Sequence, residues 1–231
     1  MARVALVTGA NRGIGREVAR QLAARGDTVL LTARTKDSAA TAAAALSAEG
    51  LDVHPLVLDV TSDADVARAA AEVGDRFGRL DVLVNNAAIH YDTWQRAAEA
   101  DLAVVHEAMD TNLYGPWRCV QAFLPLLRAG GHGRIVNVSS AAASLTEMGG
   151  GTPAYGTSKV ALNALTRMLA AELRHDGILV NAVCPGWVAT DMGGPGGRPV
   201  AEGASSVVWA ATLPDGGPTG GFFQDGVAVA W

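Results

Sequence analysis

The sequence predicts a single doubly wound α/β domain: a central, mostly parallel sheet with helices on both faces. Three observations lead there. Short β-branched or apolar runs alternate with helical patterns along the chain, the signature of βαβ units. The strand-like runs are apolar throughout rather than alternating, as in a sheet covered on both sides. Finally, 49% hydrophobic against 18% charged residues over 231 positions supply a sizeable core, and no linker divides it.

Taken in order, the strand runs are RVALVT (3–8), DTVLLTA (27–33), VHPLVLD (53–59), LDVLVNN (80–86), RIVNVSS (134–140), ILVNAVCP (178–185) and the short GGFFQ (220–224), giving a seven-stranded sheet. Helices fall between them. The first starts at about Ile14; the alanine-rich 39–50 follows the second strand, because alanine is the best helix former. ADVARAAAEVGDRF (64–77) is the third, a long helix runs from about 101 to 128, another begins just before Tyr155, and a last one covers about 201–212. The Gly/Pro-rich stretch 193–203 reads as a loop of the kind that forms lids or binding segments.

Charge and composition exclude several roles. The net charge is -5 with no Lys/Arg cluster, which disfavours nucleic acid and anionic membranes as partners, since both want a basic face. Only a four-residue apolar run precedes Thr8, too short for a signal-peptide core, and no stretch reaches transmembrane length; a cytoplasmic protein is expected. Cys119 and Cys184 lie in apolar surroundings and are expected to be reduced core residues. The five histidines are scattered, so no metal is expected.

Immediately after the first strand stands TGANRGIG, with Gly9, Gly13 and Gly15 spaced GxxxGxG and leading straight into a helix. Glycines there permit a tight turn and let backbone N–H groups at the helix N-terminus approach a pyrophosphate. About 20 residues on, the end of the second strand is where an acid would hold an adenosine ribose. Ala33 occupies that place and Arg34 follows it. With no carboxylate there, and with Arg34 and Arg12 at hand, a 2′-phosphate is the better guest. Asp59 ends the third strand, Asn85 and Asn86 the fourth, Ser139 and Ser140 the fifth. Ligands of open α/β sheets bind outside the carboxyl ends of the strands, so these residues converge on one crevice.

Tyr155 precedes Lys159 by four residues at the start of a helix, which puts both on one face. A free tyrosine has a pKa of about 10, too high for proton exchange near neutrality. An ammonium ~4 Å away at an effective dielectric of ~20 favours the phenolate by ~4 kcal/mol, or ~3 pKa units. The spacing therefore has a chemical reading: it tunes an acid/base group.

TGANRGIG, NNAA, the asparagine of MDTNLYG, NVSS, YGTSK and PGWVATDM stand in the order and spacing of the short-chain dehydrogenase/reductase family, and the resemblance runs from about Val4 to Trp231. The chain is most similar to the NADPH-dependent carbonyl reductases. One departure is Ala88, where the family usually has glycine. The resemblance implies one Rossmann-type catalytic domain over residues 1–231 that binds NADP(H) and transfers a hydride between the nicotinamide and a carbonyl or secondary alcohol. It makes Tyr155 the proton donor and acceptor, Lys159 its electrostatic partner and a ligand of the nicotinamide ribose, Ser140 the holder of the substrate oxygen, and Asn112 the anchor of a water in a proton relay. It assigns cofactor contacts to Gly9, Asn11, Arg12, Gly13, Ile14 and Gly15 of the loop, to Arg34, to Asp59 and Val60 at the adenine, to Asn86 and Ala87, and to Pro185, Gly186, Val188 and Thr190 around the nicotinamide.

Alternatives are an alcohol dehydrogenase working oxidatively and a non-catalytic cofactor-binding regulator, though the latter would be expected to have lost Tyr155 or Lys159. The substrate is expected to be a small carbonyl compound or alcohol in a mostly apolar pocket drawn from 89–94, 145–153 and 187–200. Apolar and small residues on more than one side of the helices, Val104, Val105 and Ala108 with Val160, Ala164 and Ala171, predict a homo-oligomer, dimer or tetramer.

Overall fold

The computed structural model of the chain describes residues 2–231. Its strands are β1 (Val4–Val7), β2 (Thr28–Ala33), β3 (Val53–Val57), β4 (Val82–Asn85), β5 (Arg134–Val138), β6 (Leu179–Val183), β7 (Phe222–Gln224) and β8 (Val227–Ala228). They form one sheet in the order β3-β2-β1-β4-β5-β6-β7-β8, parallel up to β7, with only β7–β8 antiparallel. The sheet has eight strands where seven were expected. The eighth follows from Asp225-Gly226, both at positive φ, which turn the chain back on itself in a two-residue hairpin. Pro55 sits in β3, at the sheet edge, where a missing N–H breaks no ladder between two strands.

The helices are α1 (Gly13–Ala24), α2 (Lys36–Ser47), α3 (Asp63–Phe77), α4 (Leu102–Met109), α5 (Gly115–Gly130), α6 (Pro153–Glu172) and α7 (Val200–Ala211). Alternate strand residues feed two cores. Leu6, Leu30, Leu83 and Ile135 meet α3, α5 and α6 through Val66, Phe123 and Leu162. Their neighbours Val7, Val29, Val84 and Val136 meet α1, α2 and α7 through Leu22, Leu46 and Val207. Both faces are thus dry, which is why the strands read as unbroken apolar runs.

Two expectations shift. The long helix expected over 101–128 is interrupted: Asp110–Tyr114 form a π turn between α4 and α5, and Asn112 lies in it. The Gly/Pro loop ends at Pro199, since α7 starts at Val200. No helix among the described residues is long and apolar enough to cross a membrane.

Candidate active site

Strand order reverses between β1 and β4, and there, above the carboxyl ends, lies a cavity of about 480 Å³. One end is the loop from β1 into α1. Gly9 and Gly13 hold φ of +61° and +56°, and a Cβ on Gly15 would come within 2.4 Å of the Asn86 Nδ2. Asn11, Arg12 and Ile14 complete that wall. Arg34, Asp59 and Val60 line the side toward β2 and β3. Asn86, Ala87, Tyr155, Lys159, Pro185 and Thr190 line the far end. The structure therefore brings together most of the residues that the sequence proposed. Gly186, Val188, Ser140 and Asn112 stand outside the cavity lining.

Those four have other surroundings. Val188 is buried under α7 and Gly186 backs onto the Arg198 side chain. Asn112 is fully buried: its Nδ2 donates to Ile89 O (3.1 Å) and to Ser158 Oγ (3.0 Å), while its Oδ1 accepts from Ile89 N (2.9 Å). The π turn aims this amide at the loop after β4; such turns recur at functional positions. Ser140 hydrogen-bonds the Tyr155 phenol, whereas the Ser139 hydroxyl is buried and donates to Asn163 Oδ1 (2.7 Å). Only the second serine of the pair faces the tyrosine.

Asn86 lines the cavity, but its amide is spent on the loop, donating to Thr8 O (2.9 Å) and Gly9 O (3.2 Å). Arg12 departs further from expectation. Its guanidinium is ion-paired across the cavity mouth with Asp191, both side chains exposed. An exposed pair of this kind contributes only about 0–1 kcal/mol. Arg34, exposed, has no ion pair among the described residues, and the Ala33 beside it lines the cavity.

Three consecutive residues at the end of β5 grip α6. Asn137 Nδ2 donates to Thr166 Oγ1 (2.8 Å), Val138 O accepts from Lys159 Nζ (2.8 Å), and Ser139 takes Asn163 as above. Lys159, Asn163 and Thr166 are spaced i, i+4, i+7, one stripe of the helix. Lys159 Nζ stands 5.6 Å from the centre of the Tyr155 ring, whose edge meets Tyr91 at 5.3 Å between centroids. Here the electrostatic expectation fails. Burial pushes the Tyr155 phenol above its ordinary pKa, the Ser140 hydrogen bond opposing it, and burial alone pulls Lys159 down to about 7. Desolvation disfavours both charges.

Asp92, inside the stretch 89–94, carries no mark in its local sequence, yet it is fully buried and bonded to residues more than sixty positions on. Sequence reading missed it.

A family profile described as short chain dehydrogenase matches residues 3–198, and the chain belongs to that family of oxidoreductases. Carbonyl reductase (NADPH) 1 of Mus musculus is 34% identical over 279 aligned residues, covering 99% of this chain and 98% of its own. Among solved structures, the NADPH-bound carbonyl reductase from chicken fatty liver superposes with a TM-score of 0.88 at 32% identity, over 100% of this chain and 99% of the other. The RhlG/NADP complex of Pseudomonas aeruginosa gives 0.85 at 34%, over 98% and 96%.

Proposed function

We propose that this chain is an NADPH-dependent carbonyl reductase or ketoreductase, its residues 1–231 acting as one cofactor-binding catalytic domain. The observation that carries the reading is that one cavity has a bare glycine loop at one end and Tyr155 and Lys159 at the other. The residues fit a dinucleotide. The left-handed Gly9 and Gly13 leave backbone exposed along the wall, Gly15 lets the helix start pack closely on the Asn86 side chain, and the N-terminus of α1 has no side-chain cap, so its first N–H groups are free for a pyrophosphate. The NADPH-bound avian carbonyl reductase and the RhlG/NADP complex support the choice of cofactor.

When bound, the reduced nicotinamide supplies the hydride. Tyr155 holds a proton firmly because it is buried, and it gives that proton to the carbonyl oxygen as negative charge develops there. Ser140 hydrogen-bonds the same oxygen. Lys159 stabilises the phenolate left on Tyr155, and its N–H groups would hold the nicotinamide ribose; Asn112 would anchor a water of the proton relay. Orientation by α6 and the loop after β4 contributes the rest. Trp94 and Trp187 are two-thirds exposed at the loops flanking the site, which favours an apolar ketone. Incubation with a ketone panel and NADPH or NADH, followed by nucleotide absorbance, tests the reading; no turnover of any ketone with either nucleotide would refute it.

The cofactor preference rests on Arg34. Its charge-assisted bonds to a 2′-phosphate contribute roughly 1.5–3 kcal/mol, so Arg34→Ala should raise KM for NADPH about tenfold to a hundredfold. Arg12→Ala should cost less, since that side chain already answers Asp191. Ala33→Asp should favour NADH instead. An unchanged KM for NADPH in Arg34→Ala contradicts this assignment.

We also propose a homo-oligomer. Ala108 proves to be buried inside the subunit, but Leu102, Trp117 and Met168 expose large apolar surface on α4, α5 and α6. Light scattering should give a multiple of 23.7 kDa; the single mass at micromolar concentration would dismiss it.

A further inference from the structure

The helix that bears Tyr155 and Lys159 lacks a cap of its own. Thr152 stands at the N-cap position with φ +50° and ψ +53°, and its side chain caps nothing. A β-branched residue in the left-handed region is an outlier that persists only where surrounding contacts hold it. Those contacts come from the loop after β4. Asp92 Oδ2 accepts from Ala154 N (2.9 Å), and its Oδ1 accepts from Tyr155 N (3.0 Å). Asp92 is 0% exposed and, among the described residues, has no cationic partner. Its charge is balanced by the positive end of a 20-residue helix and by these N–H donors.

The carboxylate is itself held. Gln95 Nε2 donates to Asp92 Oδ2 (3.1 Å), and Gln95 Oε1 accepts from Asp101 N (2.7 Å), just before α4. A bridge between Arg96 and Gly151 joins the same two loops. Gln95 is also buried. The first turn of α6 is therefore fastened to the loop that carries Tyr91 and Trp94 at the mouth of the site.

We propose that Asp92 is a positioning residue: a cap supplied in trans that sets the first turn of α6, and with it the direction in which Tyr155 presents its phenol. The proposal rests on the reading of Tyr155 as proton donor. An N-cap taken from the helix's own flank would fix the helix alone; one taken from the loop after β4 fixes the helix relative to the substrate wall. Asparagine is not equivalent. One of its two groups is an amide donor and must face either the Tyr155 N–H or the Ala154 N–H and the Gln95 amide, so it can preserve only part of the cap.

Asp92→Ala, Asp92→Asn and Gln95→Leu make the test, with two readouts. Amide hydrogen exchange of the folded proteins should accelerate at Ala154 and Tyr155 in Asp92→Ala, less in Asp92→Asn, while the amides of β5 and β6 stay protected. In ketone reduction, kcat should fall about tenfold to a hundredfold in Asp92→Ala, the scale of a reacting group displaced by ~1 Å, with KM for NADPH nearly unchanged. Asp92→Asn should lie between that variant and the parent, and Gln95→Leu should resemble it. Unchanged exchange at both amides, or losses of kcat that merely follow the unfolded fraction, would overturn the proposal. If Asp92→Ala fails to fold, the isosteric Asp92→Asn decides by the same criteria. A parent protein without turnover would remove the catalytic reading, whereas the exchange result still decides the cap.

Discussion

Tyr155→Phe should lower kcat for ketone reduction by about 10²–10⁴-fold, the range contributed by a positioned general acid, while nucleotide binding and thermal stability stay close to the parent's. The substitution removes one hydroxyl and leaves the ring. That ring packs edge-on to Tyr91 and is buried at the cavity's end, contacts that phenylalanine keeps. Stopped-flow or steady-state absorbance with saturating NADPH gives the rate, and quenching of protein fluorescence gives the binding. Because burial raises the phenol's pKa, parent activity in the reducing direction should persist through neutral pH, with the tyrosine still protonated. Retention of near-parent kcat in the phenylalanine variant would mean that another group delivers the proton.

Lys159→Met should act in opposite directions on rate and on stability. Catalysis should drop by about two orders of magnitude or more, since the phenolate left after proton transfer loses its nearest cation inside a low-dielectric site. Stability should rise. Lys159 is fully buried and its pKa is lowered from 10.5 to about 7 in the folded protein. Below pH ~7 the lysine is charged in both folded and unfolded states, and the folded state bears the whole desolvation penalty. Between about 7 and 10.5 only the unfolded chain holds the proton, so stability climbs with pH across that window. The methionine variant should consequently melt higher than the parent at pH 6.5, and the gap should close toward pH 10. Taking the difference between the two proteins at each pH cancels the titration of every other group. A gap that stays constant with pH, or a methionine variant that melts lower at pH 6.5, contradicts a desolvated lysine.

Much of this architecture was legible in the residues. β-branched runs gave seven strands because both sheet faces are dry, and the GxxxGxG spacing gave the turn into α1 because Gly9 and Gly13 do hold left-handed backbone. The hairpin to β8 was missed: the strand beyond Asp225-Gly226 is only two residues long and exposed, too short for an apolar run to show. What stayed hidden depends on distance along the chain. Arg12 lines the cavity, and what no local pattern showed is that the fold also brings Asp191 to it from 179 residues away. Asp92 looked like one polar residue in a loop. Tyr155 and Lys159 were placed on one helix face correctly, but spacing carries no information about desolvation, and burial turned the tyrosine's expected pKa shift upward and lowered the lysine's.

The stripe of Lys159, Asn163 and Thr166 acts like the key on a shaft. Apolar contacts tolerate a helix rolling through several tens of degrees, whereas hydrogen bonds to the last two residues of β5 and the one after them admit one angular setting and one axial offset. α6 is thereby indexed to β5, a central strand of the sheet. The segments 145–150 and 187–199 hang from that fixed assembly. In the proposed reductase they can change length and composition, and so accommodate other ketones, while Asp92 and the stripe keep the setting of α6.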